Sequence, residues 1–188
     1  MKNFTQKFIG ILVLVFTMSF TVNSQEIGDI YEGGIVFYVD ETGQHGLVAA
    51  QEDLEGTYEW GCYGESVDGA DSQLIGSGLQ NTVDIINQGC MTENGSTTAA
   101  QAALDAEITG YSDWYLPSKD ELTEMYNTLG NGGPEVNIGG FENSFSYGVY
   151  WSSSELLSNF AWYVNFSDGG SSYNSKSNTY RVRVIRAF

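Results

Sequence analysis

Ser152, Ser153 and Ser154 form a run of three hydroxyls after Trp151, and a serine becomes a nucleophile when a base stands within hydrogen-bond reach. The only imidazole in the chain is His45. It falls in a turn-rich segment between two β-forming runs, and nothing in the sequence brings it to the serines. A second group of candidates is acidic: "SDWYLPSKDEL", residues 112–122, holds Asp113, Asp120 and Glu121, and two carboxylates flanking a glycosidic bond would support hydrolysis. With 24 acidic residues in 188, pairs arise by accident, and no local signature marks one as buried. The expectation is therefore a non-enzymatic chain with no catalytic residue. The alternatives are a glycan-active hydrolase using paired carboxylates and a structural cell-surface component.

The third group consists of oxygen donors. Glu155, Asn165, Asp168, Asn174 and Asn178 lie among glycines and serines between two β-forming runs, with Tyr173 beside them. Asn and Ser side chains there would hydrogen-bond sugar hydroxyls while Tyr163 or Tyr173 supplies an apolar face, which makes this segment the candidate ligand site. "NFSDGGSSYN" also offers carboxylate, amide and carbonyl oxygens to a hard cation, so Asp168 and Asn165 are candidate calcium ligands, without EF-hand spacing. A solvated loop is the competing reading.

These residues need elements to position them. Ile35 to Val39 and Leu47 to Ala50 read as a hairpin with a longer loop, His45 at its tip. Leu79, Val83 and Ile86 recur at helical spacing in "GLQNTVDIINQGC", and "STTAAQAALDAEI", residues 96–108, is rich in helix formers. In the opening motif Pro117 ends an extended segment, and Ser118 with Glu121 matches a capping box. Asp120 and Glu121 suit the positive end of the helix dipole. Leu122, Met125, Tyr126 and Leu129 form its inward stripe, and Gly130 ends it. Three extended runs follow, residues 147–155, 160–169 and 180–188, so the chain end is expected in a sheet. The serine triplet then reads as backbone satisfaction near a strand end, and Trp114, Trp151 and Trp162 as scaffold aromatics.

Lys2 and Lys7 precede an uncharged apolar run from Phe8 to Phe20. That run is short for a bilayer span, and the pattern is that of a signal peptide over residues 1–24, leaving a single domain over 25–188. Five basic residues (Lys119, Lys176, Arg181, Arg183, Arg186) then face all 24 acidic ones. Nucleic acid is excluded as a partner on charge, and membrane insertion is not expected. The destination is secreted, periplasmic or cell-surface. Hydrophobic residues at 41%, with 14% aromatic, argue for a packed interior rather than acidic disorder. Cys62 and Cys90 are the only cysteines; in an exported chain they are expected to form a disulfide.

"GGIVFYVDETGQHGLVAA", "GYSDWYLPSKDEL", "YWSSSE", "AWYVNFSDG" and "YRVRVIRAF" occur in that order. Together they resemble the C-terminal domain family of the Legionella collagen-like protein, and the related Fibrobacter succinogenes major paralogous domain, over about Gly33 to Phe188. The resemblance implies an α+β, C-type-lectin-like fold: a terminal β-hairpin or sheet, two or three helices, and a second small loop-rich sheet. It also implies adhesion, through carbohydrate binding or recognition of an extracellular protein. This chain has no Gly-X-Y stalk, and its charge has the wrong sign for basic recognition of sulfate.

Overall fold

The computed structural model describes residues 25–188; the signal peptide expected over residues 1–24 lies outside the described residues. In chain order the elements are β1 (Ile30–Tyr31), β2 (Gly34–Val39), β3 (Gly46–Ala50), β4 (Tyr58–Glu59), α1 (Gly78–Asn87), α2 (Ala99–Leu104), α3 (Lys119–Leu129), β5 (Val149–Leu157), β6 (Phe160–Asn165), β7 (Ser171–Ser175), β8 (Thr179–Tyr180) and β9 (Ile185–Ala187). This is a mixed α+β architecture of small antiparallel sheets. One has the order β1-β2-β3-β9, one is the β4-β8 ribbon, and the third is β5-β6-β7.

The hairpin is where the alternation places it, and the chain end closes on it: Leu47 pairs with Ala187 and Ala49 with Ile185. The run 180–188 is not one strand, however. Residues 181–184 lie between β8 and β9 and bond to several segments: Arg181 exchanges backbone hydrogen bonds with Val149 and Trp151 of β5, while Val182 O accepts from Leu54 N and Val184 O from Ala50 N at the end of β3, both at 2.9 Å. Val182 and Val184 enter the core on one side while Arg183 is buried on the other.

The motif at 112–122 splits its work. Tyr115 and Ile185 exchange backbone hydrogen bonds at 2.9 and 3.0 Å, which sets Trp114 in the interior with no exposure. At the start of α3, Ser118 Oγ accepts from Glu121 N at 3.2 Å and the Glu121 carboxylate accepts from Ser118 N at 2.7 Å, the capping box the sequence predicts. Leu122, Met125 and Leu129 are buried as expected.

Two helices differ from expectation. In α1 the buried face is Gly78, Asn81, Thr82 and Ile85, and Leu79 is half-exposed. Hydrogen bonding overrides hydrophobic spacing here. Thr82 Oγ1 donates to Gly78 O at 2.7 Å and accepts from Leu116 N at 3.2 Å, and Asn81 Nδ2 donates to Ser72 O at 2.7 Å. The second helix is shorter than residues 96–108, since Thr98 rather than Ser96 caps it by accepting from Gln101 N.

Trp60, Trp114 and Trp151 are fully buried, and each indole N–H donates to a backbone carbonyl: Ser152 O at 2.8 Å, Tyr111 O at 3.1 Å and Tyr58 O at 2.8 Å. Buried Trp thus fills volume and pins irregular backbone at once. Three basic residues are also interior. Arg183 donates to Asp53 (2.7 Å), Ala50 O (2.9 Å) and Gly139 O (2.8 Å). Arg186 grips Asp113 with two bonds of 2.7 and 2.9 Å. Lys176 pairs with Glu155, donates to Glu65 O at 2.9 Å and lies 4.6 Å from the centre of the Trp60 ring. Burial pulls the Lys176 ammonium below its ordinary range, with Glu155 opposing. Cys62 and Cys90 are joined, as expected.

Lys176→Met, which leaves the Glu155 carboxylate buried without its cation, should cost about 3–5 kcal/mol of unfolding free energy. Chemical denaturation will measure it, and adding Glu155→Gln should restore part of the loss. Reducing the disulfide, which closes a loop with a sequence separation of 28, should cost about 3–4 kcal/mol in the chain-entropy picture. Urea unfolding with and without reductant checks that value.

Candidate ligand-binding cleft

The structure distributes the residues singled out for binding rather than gathering them. Glu155 is 7% exposed in β5; its carboxylate accepts from Val67 N and holds Lys176, so it faces the interior. Asn165 and Asp168 sit at the β6–β7 turn and Asn174 and Asn178 at the other end of β7. The two pairs are separated by a five-residue strand of about 3.3 Å per residue. Register separates them further. Tyr173 is opposite Trp162 and Asn174 opposite Ala161, so Tyr173 and Asn174 project from opposite faces of the sheet. Tyr173 is half-exposed, edge-on to Phe160 and Trp162 at 5.6 and 5.8 Å.

The oxygens proposed for calcium are engaged in shaping the turn. Asn165 Oδ1 accepts from Ser167 N at 3.0 Å and Asp168 Oδ1 from Gly170 N at 2.9 Å. Calcium takes six to eight oxygen ligands, usually including several carboxylates. Asp168 is the single carboxylate of this turn, and among the described residues no three His, Cys, Asp or Glu side chains gather at one point. The residues present do not fit that ion.

The catalytic arrangements weighed from sequence are likewise separated. Ser152, Ser153 and Ser154 are fully buried, with Ser152 Oγ donating to Trp162 O and Ser154 Oγ to Ser72 O at 2.8 and 2.7 Å. His45 is on the exposed hairpin tip. The three acids of 112–122 take separate partners: Asp113 binds Arg186, Asp120 pairs with Lys119 at 3.1 Å, and Glu121 is buried beneath the loop ahead of α1. Burial holds the Glu121 carboxyl above its usual range, against hydrogen bonds from Ser118 and Gly76.

What the fold does build nearby is a cleft of about 300 Å³ lined by Thr57, Ser146, Tyr147, Val149, Thr179, Tyr180 and Arg181. Pairing of β4 with β8 sets Tyr180 opposite Tyr58. Its ring packs on Trp151 and Tyr163 with centroids 4.5 and 5.3 Å away. The Tyr180 hydroxyl accepts from Asn174 Nδ2 at 2.6 Å, and burial pushes its pKa up, so it remains a phenol with a proton to donate. On the other wall, Asn165 Nδ2 donates to Phe145 O at 3.2 Å, bracing the loop that carries Ser146 and the 70%-exposed Tyr147. Arg181 Nε donates to Tyr147 O at 3.0 Å, and its Nη1 stands 3.5 Å from Asp53.

Asn165 and Asn174 therefore act on the cleft by positioning its walls. Sequence reasoning missed Tyr147, Tyr180, Arg181 and Thr57. An aromatic at the end of the polar loop "NSFSYG" was the one legible signal. Lys176, Arg183 and Arg186 are interior and Lys119 is paired with Asp120, so the guanidinium at the cleft rim is that of Arg181, itself 3.5 Å from Asp53.

Among the described residues no helix is long and apolar enough to cross a membrane. No curated protein matches the chain. In fold it is similar to a crystal structure of a fimbrial protein from Bacteroides ovatus, with a TM-score of 0.52 at 18% identity, over 87% of this chain and 46% of that one. The chain thus spans less than half of that structure, and the likeness is one of fold. The family model of the Lcl C-terminal domain matches residues 64–186, more than half the chain, and the chain belongs to that family.

Proposed function

We propose that this chain is a secreted or surface-exposed, adhesion-type binding module, non-enzymatic and lectin-like, that holds an extracellular glycan in the Tyr147–Tyr180 cleft. Membership of the Lcl C-terminal domain family and the likeness to a fimbrial protein support the surface role. The lectin-like reading rests on the terminal sheet β1-β2-β3-β9, which closes the chain end on the first hairpin, and on the separate loop-fed sheet β5-β6-β7.

The observation that carries the glycan reading is the chemistry of the cleft walls. Tyr147 and Tyr180 offer aromatic surface to the apolar face of a sugar ring, while Thr57, Ser146, Thr179 and Arg181 supply hydroxyl and guanidinium partners for its hydroxyls. A concave site with a few convergent polar groups orients a small ligand without chemistry. An exposed loop of an extracellular protein presenting hydroxyls or an amide would meet the same groups.

A glycan-array screen of the mature chain, followed by titration of the best ligand, tests the assignment. Tyr147→Ala should weaken binding at least tenfold by removing one wall. Asn174→Ala should weaken it about threefold by freeing the Tyr180 ring, on the scale of one hydrogen bond. Tyr173→Ala, on the opposite face, should leave it unchanged, as should a chelator. Affinity indifferent to Tyr147→Ala, or hydrolysis of the bound glycan, would overturn the assignment.

A further inference from the structure

Each sheet leaves edges, and the fold treats them unequally. The outer edge of β5 is occupied: Trp151 N donates to Arg181 O at 3.0 Å, Ser153 N to Pro117 O at 2.7 Å and Glu155 N to Ala70 O at 2.6 Å. In the terminal sheet β1 has two residues, and Ile185 of β9 is already bonded to Tyr115. Strand β7 is different. It has five residues in unbroken register with β6, and Ser171, Ser172 and Tyr173 are exposed. It carries no proline, charge or bulge, the devices that usually blunt an open edge.

The direction of its free backbone groups follows from the pairs that flank it. Asn165 N donates to Gly170 O at 2.9 Å and Lys176 N to Asn159 O at 3.0 Å. Antiparallel ladders alternate, so Ser172 and Asn174 bond inward to β6 while Ser171, Tyr173 and Ser175 turn their N–H and C=O groups away from it. Ser175 satisfies its groups locally, its N–H with Asn174 Oδ1 at 2.8 Å and its carbonyl with Asn178 N at 2.9 Å. Four outward groups are left, on Ser171 and Tyr173.

Charge limits what can approach them. The chain has a net charge of −17, so most faces of two copies repel. Residues 156–175 carry one charged residue, Asp168, so little charge stands along this edge to oppose a second copy. The free edge lies within that neutral stretch.

We propose that β7 pairs with β7 of a second copy of this chain, antiparallel about a two-fold axis at Ser172, joining the two three-stranded sheets into one of six. Ser171 would exchange both backbone hydrogen bonds with Tyr173 of the partner subunit, and the symmetric exchange makes four. Ser171 is small and stands opposite the partner's Tyr173 on the same face, leaving room for that ring. Such an edge contact is small, so the dimer is dynamic in solution and becomes dominant where copies are crowded on a surface. It would hold two clefts on one body, raising avidity for a repeating ligand by effective concentration. The pairing does not depend on what the cleft binds.

Sedimentation velocity of the mature chain over a concentration series, at low and high ionic strength, reads this directly. The expected result is a monomer–dimer equilibrium that strengthens with salt, because salt screens the repulsion of two acidic bodies. Ser171→Pro removes an N–H that β6 does not use, and should raise the dissociation constant at least tenfold with an unchanged melting temperature. Ser172→Glu sets two carboxylates side by side at the axis and should do the same. A wild-type chain that stays monomeric at high concentration and salt overturns the proposal. So does a dimer that both substitutions leave intact, or one that salt weakens, which would mean that opposite charges rather than open strand edges hold the copies together. Retained ligand binding by monomeric Ser171→Pro separates the two assignments, since the cleft is untouched.

Discussion

The buried ammonium of Lys176 is the tie on which the loop-rich half of this domain depends. It has no exposure, and its partners come from two distant parts of the chain: Glu155 in β5, and the segment beside the disulfide that supplies the carbonyl of Glu65 and the face of Trp60. A charge taken out of water is tolerated only where its partners are complete, so residues 60–67 cannot leave without exposing an unsatisfied ion. Glu155 spends its remaining capacity on Val67 N. A segment with almost no regular structure thereby acquires a single conformation.

The same logic recurs with neutral groups. Short strands and three helices leave many backbone N–H and C=O groups in irregular segments, and buried ones must find partners. Ser152, Ser154, Asn81, Thr82 and the three indole N–H groups supply them; Ser154 and Asn81 both reach the carbonyl of Ser72, and Thr82 the backbone of Leu116, in the loops beside them. Glu121 does so with a full charge: its carboxylate accepts from Gly76 N at 2.8 Å as well as from its own helix start. A side chain on Gly78 would collide with that carboxylate, so the residue that opens α1 has to be glycine. Polar residues that resemble catalytic candidates are in this domain the means by which loops are fastened.

Fastening the loops in this way has a consequence at the surface. Because Lys176, Arg183 and Arg186 are consumed inside with carboxylate partners, few cations are left for an exterior that is acidic overall. A cleft bearing one guanidinium and a strand edge bearing no charge stand out against it. Asn165 and Asn174 illustrate how the loop carpentry serves the cleft, one bracing the Tyr147 loop and the other orienting the Tyr180 hydroxyl.

Local chemistry was enough to read the hairpin, the capped third helix, the disulfide and the ordered motifs of the family, because each is specified by residues a few positions apart or by two cysteines with no other partner. It also marked the serines, Trp114 and Trp151 as scaffold, whereas Trp162 is only partly buried, beside Tyr173. The cleft was not legible: Thr57, Tyr147 and Arg181 are far apart in sequence and meet only when β8 pairs with β4 and residue 181 bonds across to β5. Nor was the inward face of α1, where Leu79 was a better guess than Asn81 until a neighbouring loop offered Asn81 a carbonyl. The division of β7 into a face for Tyr173 and a face for Asn174, with its backbone turned outward at Ser171 and Tyr173, followed from strand register. Spacing along the chain determines what an element is, whereas which side of it meets water is decided by the partners that folding brings across from elsewhere.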